Sequence, residues 1–474
     1  MEELNDIEKK VLDKLKPKPE EYVKVRKAFE KISNMLKEEL KKEGIEAKVE
    51  LEGSVAKDTW ISGDLDLDLF VLYPKELGKE WLKDEGFKII LRATQNFPRR
   101  IAYAEHPYVR IIVNGLNVDI VPAFKLSDPL EAETVVDRTP FHTRYVTSKL
   151  TEKQKDHVRL LKKFMKTIGV YGAEIRVSGF SGYLVELLII HYRSFRNVLE
   201  KAAETWKPGF IIDIEGYYRK KDYANIAKKF KNQPLIVIDP VDYRRNVAAA
   251  VSAKSMATFI AAAKVYLKNP SIEFFFPKEE HVNIEHVKRE ILNKPYDYIF
   301  VLFPIPEKPP DVLWGFLRRS VKGVASLLTK FGFNVLDYDV WSDESKYGVF
   351  VFEVESEEIS YFIKSEGPLV NVEPNATMFL RKYVDSDETI AGPWIEDFKW
   401  VVIRKRKFHS AKRLLEERLL EHGISSVLRE HLLKTWFKVL LKNDVEYIVN
   451  VVGEDFLKFI SQFTRKKPKW LSLK

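Results

Sequence analysis

The stretch Gly53-Ser54-Val55-Ala56-Lys57-Asp58-Thr59-Trp60-Ile61-Ser62-Gly63-Asp64-Leu65-Asp66-Leu67-Asp68-Leu69-Phe70 constrains this chain more than any other. Its second half alternates acid and leucine, then turns wholly apolar through Val71 and Leu72. Residues two apart on a strand share a face. Asp66 and Asp68 therefore project together from the edge of a strand whose continuation is buried. Carboxylates held that close repel each other, and a divalent cation relieves the repulsion. Mg²⁺ takes oxygen ligands and keeps positions for water and phosphate oxygens. The first half ends a strand-like run, 46–52, in the turn Gly53-Ser54, whose backbone N–H groups and hydroxyl suit a phosphate. Asp64 with Asp66 meets the same spacing as Asp66 with Asp68. The later pair is preferred because Leu69-Phe70 follows it directly, whereas Asp64, after Ser62-Gly63, reads as a turn residue.

The rest of the chain is ordered around this strand. Apolar spacing predicts a helix over 19–43. Residues 88–92, 100–104 and 108–113 read as strands, and Asn114-Gly115 is a hairpin signal. The hairpin returns 116–121 to the sheet and brings in Asp119, an acid with apolar flanks. Two-metal phosphoryl transfer uses a third carboxylate on one ion, so Asp119 is the candidate. Residues 123–150 read as loop-rich and contain His142. A helix over 153–168 stops at Gly169, with Lys162 on its polar side and Tyr171 just beyond. Residues 179–188 open a buried helix that reads as packing. A strand over 235–239 runs through Pro240 into Arg244-Arg245-Asn246-Val247-Ala248, read as the start of a long helix reaching residue 267. A helix N-terminus with two arginines suits a phosphate or a base edge. From residue 298 the pattern is strand, helix, strand, strand, with aromatics that read as core. Basic residues at 404–407 and 465–469 suit an RNA backbone.

Composition narrows the partners. The chain has 474 residues, enough for about three domains. It has no cysteine, which excludes disulfides and thiolate zinc sites. Lys and Arg number 79 against 70 Asp and Glu, a net charge of +9 that favours a polyanionic partner. No apolar run reaches the roughly 20 residues of a membrane helix, and the acidic start is unlike a signal peptide, so a soluble cytoplasmic protein without membrane partners is expected. No Gly-x4-Gly-Lys-[Ser/Thr] motif occurs, so nucleotide binding is expected to use carboxylates and metal.

Gly53-Ser54 followed by Asp66-Leu67-Asp68 resembles the nucleotidyltransferases of the DNA polymerase β type. With Thr59-Trp60 before the acids, the stretch is similar to the archaeal (class I) CCA-adding tRNA nucleotidyltransferases. Asp119-Ile120-Val121-Pro122 matches the context of that family's third acid. The family usually has Glu where this chain has Asp66, which brings the backbone closer to the metal. The resemblance implies an α+β, multidomain chain. A polymerase β-like head with a mixed or antiparallel sheet would span 1–145. A mostly helical central domain would span 146–268, and an α+β C-terminal body and tail that binds tRNA would span 269–474. It implies addition of C, C and A to the tRNA 3′ end from CTP and ATP, with Mg²⁺ on Asp66, Asp68 and Asp119. Gly53, Ser54, Lys57, His142, Lys162, Tyr171 and Arg245 would bind nucleotide, and the enzyme would be a homodimer. Poly(A) polymerase or oligoadenylate synthetase-like activity is the enzymatic alternative. An inactive RNA-binding module is the non-enzymatic one.

Overall fold

The computed structural model describes residues 4–103, 107–231, 233–278 and 281–472. The chain forms two compact units, Met1–Glu279 with Pro468–Lys474, and Glu280–Lys467.

The first unit carries a five-stranded sheet in the order β1-β2-β5-β4-β3. The strands are β1 (Lys48–Glu52), β2 (Asp66–Pro74), β3 (Arg99–Tyr103), β4 (Pro107–Val113) and β5 (Leu116–Lys125). β2 lies parallel to β5 and antiparallel to β1, so the sheet is mixed. The Asn114-Gly115 turn joins β4 to β5 with both residues at positive φ, 52° and 78°, the conformation of a two-residue hairpin loop. One face of the sheet packs on the helix Pro19–Lys42 through Val25, Ile32, Leu36 and Leu40. Residues 87–93 also pack there, as a helix and not the strand expected over 88–92. Phe87, Ile89, Ile90 and Ala93 are buried, a helical pattern in a run short enough to read either way.

The opposite face of the sheet carries the acids and meets a second departure. Val135–Lys149 is one helix, not loop, with Pro140 inside it. The Thr134 hydroxyl accepts the Asp137 N–H and the Thr134 N–H donates to the Asp137 carboxylate, a capping box that starts the helix upstream of Pro140. The helices Glu152–Thr167, Gly182–Tyr192, Phe195–Thr205 and Ala253–Lys268 form a separate apolar core with Phe164 at its centre. Residues 240–252 form turns, and the helix expected from Pro240 starts only at Ala253.

The second unit holds a four-stranded sheet and a three-stranded sheet. In the larger sheet Tyr298, Phe300, Phe303, Phe350 and Phe352 are fully buried, so most of the strand aromatics are core, while Tyr338 on the edge strand Val335–Ser342 is exposed. The helix expected over 429–441 ends at Lys434, and Lys438–Leu441 is a strand on the sheet edge. Among the described residues no helix is long and apolar enough to cross a membrane.

Candidate active site

Strand register sets the site. Asp68 on β2 is the direct partner of Asp119 on β5 and of Glu52 on β1. Asp119 in turn pairs with Arg110 on β4, and Arg110 with Arg100 on β3. Register partners point to one face, so a transverse row runs Glu52, Asp68, Asp119, Arg110, Arg100. Asp66 sits two residues from Asp68 on the same face, where Asn117 Nδ2 donates to its carboxylate at 3.0 Å. Strands spaced about 5 Å apart put two carboxylates in a repulsion of roughly 3 kcal/mol at an effective dielectric of 20. Burial, then Asp119 and Asp66, push the Asp68 carboxyl up to about 7. Burial also pushes Glu52 up to about 7, and its Oε2 has no hydrogen-bond partner.

This excess of negative charge fits a divalent cation in the sign and type of its donors. Among the described residues no three His, Cys, Asp or Glu side chains stand in ready ion-holding geometry. Asp119 is engaged by an arginine. Arg110 grips both of its oxygens, Nε to Oδ1 and Nη2 to Oδ2 at 2.6 Å each. A cation drawing on Asp119 would have to displace that guanidinium.

Gly53 and Ser54 open the short helix Gly53–Ala56 directly after β1. Gly53 has φ +69°, and a Cβ there would lie 2.0 Å from Asp68 Oδ2. Only glycine lets the turn approach the carboxylate so closely.

Lys57 and Lys162 meet at a group the sequence reading assigned to packing. Glu186, on the apolar helix Gly182–Tyr192, is fully buried and takes Lys57 Nζ at 2.5 Å and Thr59 Oγ1 at 2.6 Å. Lys162 Nζ bonds the Thr59 carbonyl and hydroxyl at 3.0 Å each and lies 3.5 Å from Glu186 Oε1. Burial alone would raise the Glu186 carboxyl, but Lys57 and Lys162 hold it below its usual range. Burial brings Lys162 down to about 8 despite that carboxylate. Two ammonium groups against one carboxylate leave a net positive charge. The Tyr171 hydroxyl adjoins it: a Cβ on Gly182 would touch that oxygen at 3.0 Å and Lys162 Cε at 4.0 Å.

His142 lies on the Val135–Lys149 helix, stacked on Tyr183 at 4.0 Å between ring centroids. Its Nε2 meets Asp239 Oδ2 at 3.2 Å, and Tyr183 donates to Asp239 Oδ1 at 3.1 Å. Arg245 Nη1 lies 3.5 Å from the same carboxylate and is buried without a hydrogen-bond partner. Burial holds the His142 imidazolium below its ordinary value, with Asp239 opposing. Asp239 and Asp242 also accept the backbone N–H groups of Val241 and Arg244, as turn caps. Arg244 is held outward by Asp242. Lys57 lies over the Tyr183 ring at 6.0 Å and links this cluster to the Glu186 hub.

Asp66, Asp68 and Asp119 thus share one sheet face. Lys57, Lys162 and Tyr171 gather beside Glu186, and His142 and Arg245 around Asp239. Asp64 stands apart in the turn before β2, paired with Lys166. Sequence reasoning missed Arg110, Glu52, Glu186, Tyr183 and the part played by Asp239. The one available signal was a lone Glu in an apolar helix, since such a residue is almost never buried unpaired. An open cleft of about 310 Å³ lined by Lys16, Tyr22, Asp58, Asp156 and Arg159 lies elsewhere. Within it Lys16 pairs with Asp156 and Arg159 with Asp58, at 2.7 Å each.

The acid pair at the start of β2, Asp119 on its parallel neighbour and the Gly53 turn against Asp68 thus lie together in the head. Residues 8–142 match the nucleotidyltransferase domain family. Residues 156–276 match the second domain of tRNA nucleotidyltransferase, and residues 297–441 match the C-terminal domain of the CCA-adding enzyme. The CCA-adding enzyme of Saccharolobus islandicus (strain M.14.25 / Kamchatka #1) is 39% identical over 466 residues, covering 98% of this chain and all of that one. That of Sulfolobus acidocaldarius is 36% identical, covering 98% and 99%. The chain belongs to the archaeal CCA-adding enzymes, the tRNA nucleotidyltransferases. Among solved structures, Cid1 poly(U) polymerase with MgATP is similar over 58% of this chain and 98% of its own, at 16% identity and TM-score 0.45.

Proposed function

We propose that this chain adds C, C and A without a template to the 3′ end of tRNA, from CTP and ATP, through the site on the β2–β5 face. The observation that carries this is the register pairing of Asp68 with Asp119, with Asp66 on the same face. Asp66, Asp68 and Asp119 would hold Mg²⁺, which would supply charge neutralisation and a lowered pKa for the attacking 3′-hydroxyl. Asp119 would have to give up Arg110 for that role. The chain's own groups do the positioning. Lys57 and Lys162, held by Glu186, set a fixed positive charge for the triphosphate beside Tyr171 and the N-terminus of the Gly182–Tyr192 helix. Gly53 and Ser54 bring backbone close to the carboxylates. His142 and Arg245, oriented by Asp239, meet sugar and base. In-line displacement then releases pyrophosphate and asks the protein for alignment more than covalent chemistry.

By function we divide the chain into 1–145, 146–268 and a tRNA-holding 269–474, whereas by compactness it divides at 279/280 and the helix Val135–Lys149 crosses the first boundary. Cytoplasmic location and a homodimer complete the reading, and sedimentation reads the dimer as twice the mass of the 55.4 kDa chain. The test uses tRNA transcripts ending at the discriminator base, with Mg²⁺ and labelled CTP and ATP. Addition of two C and one A is expected. Failure to incorporate C, or runaway addition of A as a poly(A) polymerase would give, overturns the reading.

A further inference from the structure

Beside the Asp239–Arg245 turn stands a group of tyrosines that the site above does not use. Tyr217 and Tyr243 are 48% and 43% exposed, large for aromatic rings. They are not loose. Tyr217 donates its hydroxyl to the Pro240 carbonyl at 2.6 Å, and Tyr218 donates to the Tyr243 carbonyl at 2.8 Å. Both ring centroids of Tyr217 and Tyr218 lie within 6.4 Å of that of Tyr243. Asp213 fixes the loop from below, accepting the backbone N–H groups of Gly216 and Tyr218. Tyr217 is thus pinned at its hydroxyl end and Tyr243 at its backbone carbonyl, while both rings keep water-exposed surface. Arg219, Lys220 and Lys221 follow immediately and are exposed. Lys229 donates to the Arg244 carbonyl at 3.1 Å, which draws a further cation to the same turn.

Pinned, exposed aromatics flanked by cations are how proteins hold single-stranded nucleic acid without reading its sequence: bases stack on the rings and phosphates meet the cations. Pro240 directly follows Asp239, whose carboxylate holds His142 and Arg245. We propose that the Tyr217–Tyr243 ledge binds the single-stranded 3′ end of the RNA primer, stacking its last bases while Arg219, Lys220 and Lys221 meet its phosphates. This rests on the reading of the Asp239–Arg245 turn as the border of the nucleotide pocket. Stacking tolerates any base, so the ledge accepts a primer end that changes identity with each addition.

The test compares the double variants Y217A/Y243A and Y217F/Y243F in the full chain. The primer is a tRNA transcript ending in two unpaired C residues, with 2-aminopurine in place of the discriminator base in one version. Loss of one stacked base predicts a KM for this RNA about 5- to 100-fold higher in the alanine variant. The KM for ATP should hold, and the phenylalanine variant, which keeps the rings but frees residue 217 from the Pro240 carbonyl, should fall between wild type and the alanine variant. Quenching of 2-aminopurine on binding should be present in the wild-type protein and lost in the alanine variant. An unchanged RNA KM, a KM for ATP that rises equally, or a phenylalanine variant as impaired as the alanine one would overturn the proposal. So would a change in oligomeric mass without a change in RNA binding, which would mark the ledge as a contact between copies. H142A and R245A report separately on the pocket: an unchanged nucleotide KM there refutes the pocket reading, not the ledge.

Discussion

Replacing Asp68 by Asn probes the charge crowding that the register creates. An acid whose pKa rises on folding binds its proton more tightly in the native state. Between its ordinary value of 3.8 and about 7, stability therefore falls as pH rises, and above 7 the whole penalty is present. A rise of about 3 units is worth roughly 4 kcal/mol. The side chain keeps partial water contact, which trims the penalty to about 2–4 kcal/mol. Asp68→Asn should thus stabilise the metal-free protein at pH 7.5, raising Tm by several degrees at about 2 °C per kcal/mol. Calorimetry in EDTA measures it, and at pH 5.5 the gain should shrink to roughly half as the wild-type carboxyl takes up its proton. With Mg²⁺ the order should reverse, because the variant loses a ligand. An Asp68→Asn protein no more stable than wild type in EDTA, or a gain independent of pH, would refute the crowding argument.

Three further outcomes follow from the same geometry. Glu186→Gln leaves Lys57 and Lys162 buried without their counter-charge and should cost about 3–5 kcal/mol in denaturant unfolding. Gly53→Ala puts a Cβ against Asp68 Oδ2 at φ +69°; it should cost about 1–2 kcal/mol of stability yet lower turnover on the order of 100-fold, seen by pairing calorimetry with single-turnover kinetics. Because burial brings Lys162 down to about 8, kcat/KM for CTP should fall as pH rises past 8, and Lys162→Gln should start low and lack that limb.

Much of the head was legible because its signals are local. The acid–leucine alternation gave β2, the Asn114-Gly115 turn gave the β4–β5 hairpin, and apolar flanks put Asp119 in the sheet. That β5 lies beside β2, in register, needed the fold. The misread stretches share a cause: short runs whose pattern suits two structures. Residues 87–93 are helical because they pack on the Pro19–Lys42 helix. Pro140 hid a helix that the Thr134–Asp137 capping box announces. The alanines after Arg245 suggested a helix too early, although Asn246 instead ties the turn to the strand Leu235–Ile238 by accepting the Val237 N–H at 2.7 Å. The Glu186 hub was illegible because its partners come from positions 57, 59 and 162, which no sequence spacing connects.

Turnover of four asparagine variants tests the central claim, that the paired strands carry the reaction. Asp66→Asn, Asp68→Asn and Asp119→Asn should each abolish addition of C and A while tRNA binding stays near wild type, and Asp64→Asn, altering only a turn residue paired with Lys166, should stay active. An inactive Asp64→Asn beside an active Asp68→Asn would contradict it.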